Sequence, residues 1–162
     1  MKRNWMETEM AKCWELSDDE LTIVKNKRGV TRLGFSILLK FFQIEGRFPS
    51  GASEIPLSVV RFVSRQLEVD PMDWSTYPWE GRILKYHRAE IRDWCGFREI
   101  TLADQEVLKR WLVEAVIPLE PRVEGLREAL LQRCRALQIE PPSGTRAAGH
   151  PVCPPGPRHS VL

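Results

Sequence analysis

The chain has 162 residues, 43% of them hydrophobic and 28% charged, with a net charge of +2, which suits one ordinary globular domain or two small helical ones. Its first ten residues are polar and lack the apolar stretch of a signal peptide, and no apolar run approaches the roughly 20 residues of a membrane span. Four scattered cysteines (Cys13, Cys95, Cys134, Cys153) without a C-x-x-C pair read as reduced thiols, not as a disulfide framework or a zinc site. The chain has no Gly-rich phosphate loop, paired-histidine motif or nucleophile elbow, so no catalytic residue, metal or cofactor is assigned.

Residues 1–16 read as an N-terminal arm whose Trp5 and Trp14 can pack onto a domain. Ser17-Asp18-Asp19-Glu20 is a capping box, in which the Ser oxygen accepts a first-turn amide and Glu20 reaches back. A short helix, 18–26, follows with Leu21 and Val24 inward. A cationic loop (Lys25, Lys27, Arg28, Arg32) then runs into a very apolar helix with Thr31 as its N-cap. Leu33, Ile37, Leu38, Phe41, Phe42 and Ile44 recur there at three- and four-residue spacing, the mark of a broad buried face. Lys40 and Gln43 interrupt it, and Gly46 to Pro49 end it. Residues 25–65 hold eight Lys/Arg, Arg47 among them, against two Glu. That local excess of +6 exceeds the charge of the whole chain.

Pro56 opens a helix to Glu68, with Leu57, Val60, Val63 and Leu67 inward and Arg61, Arg65 and Glu68 outward. The connector P-M-D-W-S-T-Y-P-W has no cations to suit base stacking, so Trp74, Tyr77 and Trp79 are expected to wedge between helices. In the helix 80–95, Ile83, Leu84, Ile91 and Trp94 share one arc, and Arg82, Lys85, Arg88 and Arg92 form a cationic stripe beside it. His87 is expected to make a polar contact, and Gly96 to cap the helix. Thr101-x-x-Asp104 caps a helix over 102–116 that buries Leu108, Trp111, Leu112 and Ala115, giving the outline of a helix-turn-helix. Pro118 and Pro121 precede a helix over 122–137 with a stripe of Val123, Leu126, Leu130 and Cys134 or Leu137. Residues 143–162 hold four of the twelve prolines, three of the ten glycines and no acid, the composition of a disordered tail. His150, Cys153 and His159 in it lack ligand spacing.

The fold expected from these elements is all-α, with about six helices in one compact or two small modules. R-G-V-T-R-L-G-F, L-K-F-F-Q-I-E-G-R-F-P, Y-P-W-E-G-R-I-L-K-Y-H-R-A-E-I-R-D-W-C-G-F-R-E and L-L-Q-R-C-R-A-L-Q-I-E-P-P together resemble the N-terminal region of Tn3-family transposases. The resemblance covers residues 17–142. It implies helical modules that bind double-stranded DNA at transposon terminal inverted repeats, in the bacterial cytoplasm and at the nucleoid. It places the metal-dependent three-carboxylate domain several hundred residues further on, so the chain is expected not to be an enzyme by itself, and self-association is expected only of a full-length transposase. Because the family pattern stops after Pro142, the chain is expected to be a truncated or frameshifted fragment. The candidate DNA contacts are Lys25, Lys27, Arg28, Arg32, Arg47, Arg61, Arg65, Arg82, Lys85, Arg88 and Arg92. The alternative is a helical protein-interaction or structural module with solvated cations.

Overall fold

A computed structural model describes residues 1–27 and 29–143. It contains seven α-helices: α1 (Glu7–Trp14), α2 (Asp18–Lys25), α3 (Thr31–Glu45), α4 (Leu57–Leu67), α5 (Arg82–Cys95), α6 (Leu102–Trp111) and α7 (Val123–Leu137). Two 3-10 turns, Ala52–Glu54 and Pro71–Thr76, and a π-helical segment, Leu112–Val116, complete the helical part. Arg28 and the segment 144–162, with His150, Cys153 and His159, lie outside the described residues.

The first sixteen residues pack onto the domain through their tryptophans, as expected. Met10, Cys13 and Trp14, spaced three and one apart, turn one face of α1 into the core, and Trp14 is fully buried. Trp5 meets Trp14 edge-to-face at 5.8 Å between ring centroids. Gln66 of α4 accepts from the Leu16 amide at 2.9 Å and donates to the Trp14 carbonyl at 3.0 Å.

α3 is the hub: α1, α2, α4, α5 and the Pro71–Thr76 turn all pack on it. The expected stripe is buried, but so are Gly34, Phe35, Ser36, Leu39 and Lys40, so the helix is covered all round. Lys40 is tolerated because its ammonium donates to Glu20 Oε1 at 2.7 Å, while Gln43 donates to Glu20 Oε2 at 2.7 Å. Burial alone pushes the Glu20 carboxyl up, but Lys40, the Ser17 amide and Gln43 outweigh it and hold the group below its ordinary value. The expected capping box is present, with Glu20 N donating to Ser17 Oγ at 3.2 Å and Ser17 N to Glu20 Oε1 at 2.9 Å. Thr31 is the first helical residue of α3 and not its cap. Val30 stands at the cap with helical dihedrals and no side-chain bond, because the loop is closed instead by Arg32 donating to the Lys25 and Lys27 carbonyls. Gly46, at φ 72°, ends the helix in the left-handed region.

The aromatic connector does wedge between helices. Trp74 and Tyr77 are buried, and a Cβ built on Gly34 would lie 1.9 Å from Tyr77 Cδ2, so only glycine lets this ring lie on α3. Tyr77 Oη and His87 Nδ1 are 2.6 Å apart, and His87 meets Phe35 edge-to-face at 5.1 Å. Burial, and then the charge of Lys27, pull the His87 pKa down to about 4; burial pushes Tyr77 up. His87 is thus a neutral packing residue joining α5 to the connector and to α3.

Four stripes differ from the sequence reading. In α4 the inward residues are Val59, Val60, Val63 and Ser64, whereas Leu57 is exposed, because the inward arc centres between Val60 and Val63 and Leu57 lies about a quarter turn from it. In α5 Leu84, His87 and Ile91 point inward and Ile83 is exposed, since the neutral His87 takes the central place. α6 becomes π-helical after Trp111, which rotates Ala115 into solvent. In α7 Leu131 and Cys134 are buried while Val123 and Leu137 are exposed, because α7 packs chiefly along the π segment. α5 and α6 have little backbone contact with one another, so the helices flanking Gly96 are not the packed pair of a helix-turn-helix.

Gly34→Ala should lower the melting temperature by about 3–10 °C, from roughly 1–3 kcal/mol of overpacking, although alanine is ordinarily the better helix former. A thermal melt followed by circular dichroism checks this. Because the folded-state pKa of His87 lies below the ordinary 6.5, the unfolded chain binds the extra proton first, and stability falls as pH drops from about 6.5 to about 4. Urea midpoints should show this loss in the parent chain, and His87→Gln should show a flatter profile over the same window.

Candidate nucleic-acid interface

Helix packing sorts the candidate cations into two groups. Lys25 at the end of α2, Arg61 and Arg65 on the outer face of α4, and Arg82 and Lys85 in the first turns of α5 are exposed. None of these five makes an ion pair among the described residues. The Val59-Val60-Val63 face of α4 turns Arg61 and Arg65 to solvent, and the Leu84-His87-Ile91 face of α5 does the same for Arg82 and Lys85.

The other group is engaged within the fold. Lys27 pairs with Glu90 of α5 and lies 4.7 Å from the Phe35 ring centroid, tying the loop after α2 to α5. Arg32 caps the carbonyls of that loop. Arg47 is buried, paired with Glu54, and 5.1 Å from the Phe41 ring centroid. Arg88 is half-buried, 5.3 Å from the Phe48 ring centroid. Arg92 donates to Glu99 Oε1 and Glu140 Oε2, each at 3.0 Å. Burial raises the Glu140 carboxyl even though Arg92 and Arg88 act to lower it. The four-cation stripe of α5 is therefore divided: Arg82 and Lys85 face water, and Arg88 and Arg92 face protein. α4 and α5 each pack on α3, with little backbone contact between them.

Two features escaped sequence reasoning. Arg135 of α7 donates to the Ile44 carbonyl at 3.1 Å and to the Gln43 carbonyl, capping the C-terminal end of α3 from 91 and 92 residues away in the chain. Only the preference of cations for helix C-termini hinted at such a role. Arg98 N donates to the Gln138 carbonyl at 3.0 Å and Glu140 N to the Arg98 carbonyl at 2.9 Å, a parallel bridge within the expected turn. The α6–α7 hairpin is thus attached by polar clamps, and residues 102–138 carry six acids and six Lys/Arg, so it adds nothing to the basic excess. It also leaves Val113, Ile117, Leu119 and Val123 exposed at its tip.

Arg92→Ala should lower the melting temperature by several degrees, since it leaves the half-buried Glu140 without its ion-pair partner, at a cost of about 1–3 kcal/mol. Lys85→Ala should leave it unchanged within a degree or so, since exposed substitutions typically stay within about 0.5 kcal/mol. Calorimetric scans of both variants check the division of the stripe.

Among the described residues no group of three or more His, Cys, Asp or Glu side chains comes together to hold a metal, and Cys95 and Cys134 are free thiols. No helix among them is long and apolar enough to cross a membrane. The family model for a domain of unknown function, DUF4158, matches residues 1–146. The transposase for transposon Tn501 of Pseudomonas aeruginosa is 27% identical over 107 residues, covering 65% of this chain and 11% of that protein. The transposase for transposon Tn1546 of Enterococcus faecium is 29% identical over 115 residues, covering 70% of this chain and 12% of that protein. The chain thus spans about an eighth or less of the length of these relatives. With the family model matching most of its length, the chain belongs to the DUF4158 family, found in Tn3-family transposases, and corresponds to a transposase N-terminal region.

Proposed function

We propose that the chain is a double-stranded-DNA-binding module that holds the terminal inverted repeats of a transposon, while the strand chemistry belongs to another part of the transposase. The observation that carries this reading is the set of five exposed cations without an ion pair, Lys25, Arg61, Arg65, Arg82 and Lys85, on a fold that holds Lys27, Arg32, Arg47, Arg88 and Arg92 by ion pairs, ring contacts or carbonyl hydrogen bonds. Solvated Lys and Arg displace condensed counterions from duplex phosphates, and this gives affinity without sequence preference. Arg28 belongs to the same basic loop by sequence. Lys27, Arg32, Arg47, Arg88 and Arg92 support the surface from within, by orienting the loop, α3 and α5.

The protein-interaction alternative finds its support elsewhere, on the neutral α6–α7 hairpin with its exposed tip. The two readings occupy different surfaces and are separable. In fluorescence anisotropy with a transposon-end duplex, the DNA reading gives log K falling with log salt at up to about −0.9 per phosphate contact. Five contacts would give a slope near −4.5 and a loss of about 10²–10³-fold between 50 and 200 mM salt. Replacing Arg61, Arg65, Arg82 and Lys85 together with alanine should flatten that slope by about 3–4 units while the fold is kept. Salt-independent binding, or none at low salt, would leave only the interaction-module reading.

A further inference from the structure

We infer that the exposed N-terminal half of α5 reads duplex sequence, with Tyr86 and Ile83 as the base-contacting residues beside the phosphate contacts Arg82 and Lys85. This rests on the DNA-binding reading above and goes beyond it, because cations on phosphates carry no sequence information.

The outward face of α5 runs Arg82, Lys85, Tyr86, Ala89, Asp93 at three- and four-residue spacing, opposite the buried Leu84, His87 and Ile91. Tyr86 is 65% exposed and Ile83 46% exposed, so neither ring nor branch contributes much to the core. An aromatic and a branched apolar side chain set along one side of two cations form a surface that water solvates poorly and a duplex groove complements. The cations meet the phosphates on the groove edge, and the apolar groups meet thymine methyls or base edges within it. An α-helix fits the major groove, so the first two turns of α5 can reach it.

The sign of charge along the helix picks the end that approaches. The C-terminal half carries Asp93 in the open, and its cation Arg92 is neutralised by Glu99 and Glu140. That half would repel a phosphate backbone. The N-terminal half has no acid in its first turn and instead places Arg82 at the first helical position, where the helix dipole disfavours a cation.

The test uses the full chain and a randomised duplex library, from which a bound consensus duplex is selected. Affinities for that duplex and a scrambled duplex of equal length are then measured across a salt series. Tyr86→Ala and Ile83→Ala should each reduce the ratio of the two affinities by about tenfold, with the salt slope and the melting temperature unchanged. Tyr86→Phe should keep most of the ratio, and Lys85→Ala should lower both affinities alike and flatten the slope by about one unit. If the parent chain binds no duplex, the DNA-binding reading falls together with this one. If it binds but selection yields no consensus, or if Tyr86→Ala and Ile83→Ala leave the ratio intact, the sequence-reading assignment alone is overturned. The assignment is equally overturned if those two variants weaken both duplexes alike.

Discussion

Covering α3 on every side is the constraint from which the remaining geometry follows. A helix apolar around its whole circumference must find partners in all directions, and a chain of this size has just enough helices to supply them. The one cation in its middle, Lys40, would make that burial costly unless paired. Glu20 supplies the partner while also serving as the acid of the Ser17 capping box, so the same carboxylate starts α2 and neutralises α3. Gln43 occupies the second Glu20 oxygen, which leaves the cluster satisfied. The register of α2 against α3 is therefore set by a polar contact inside an otherwise apolar packing.

The orientation of α5 has a different origin. Gly34 opens a gap in the surface of α3, Tyr77 fills it, and the Tyr77 hydroxyl meets His87 on α5. This glycine–tyrosine–histidine stack turns the Leu84-His87-Ile91 side of α5 inward and leaves Arg82, Lys85 and Tyr86 in water. A neutral histidine is required there, and burial keeps it so. The aromatic connector is thus the part of the core that aims the candidate DNA-contacting helix.

The C-terminal hairpin joins this core on other terms. α6 and α7 bury few side chains of their own and are held to the rest by Arg135 on the α3 carbonyls, by Arg92 on Glu140, and by the bridge at Arg98 and Ile139. Guanidinium groups suit the role, since each offers several donors in a fixed plane. Three arginines that look alike in sequence therefore do different work: Arg92 and Arg135 fasten elements together, and Arg82 faces solvent.

Helix content was legible from the residues alone, because apolar periodicity, the Ser17 and Thr101 boxes and the Gly46 and Gly96 stops are all local signals. Local too was the wedge of Trp74 and Tyr77, which large rings without nearby cations imply. The eight-residue α1 was too short to show a period, so only its contacts with α3 and α4 revealed it as core. The direction of each stripe was legible to within about a quarter turn, hence Leu57 and Ile83 were placed inward in error. Family membership was also within reach of the sequence, since its motifs run through α3, α5 and α7. What only the tertiary structure decided was which cations remain free. Spacing says that Arg82, Lys85, Arg88 and Arg92 share a stripe, but the partners that engage the last two, Phe48, Glu99 and Glu140, come from other segments. Periodicity reports an angle about one helix axis, whereas charge neutralisation depends on distances between helices, and those exist only once the chain has folded.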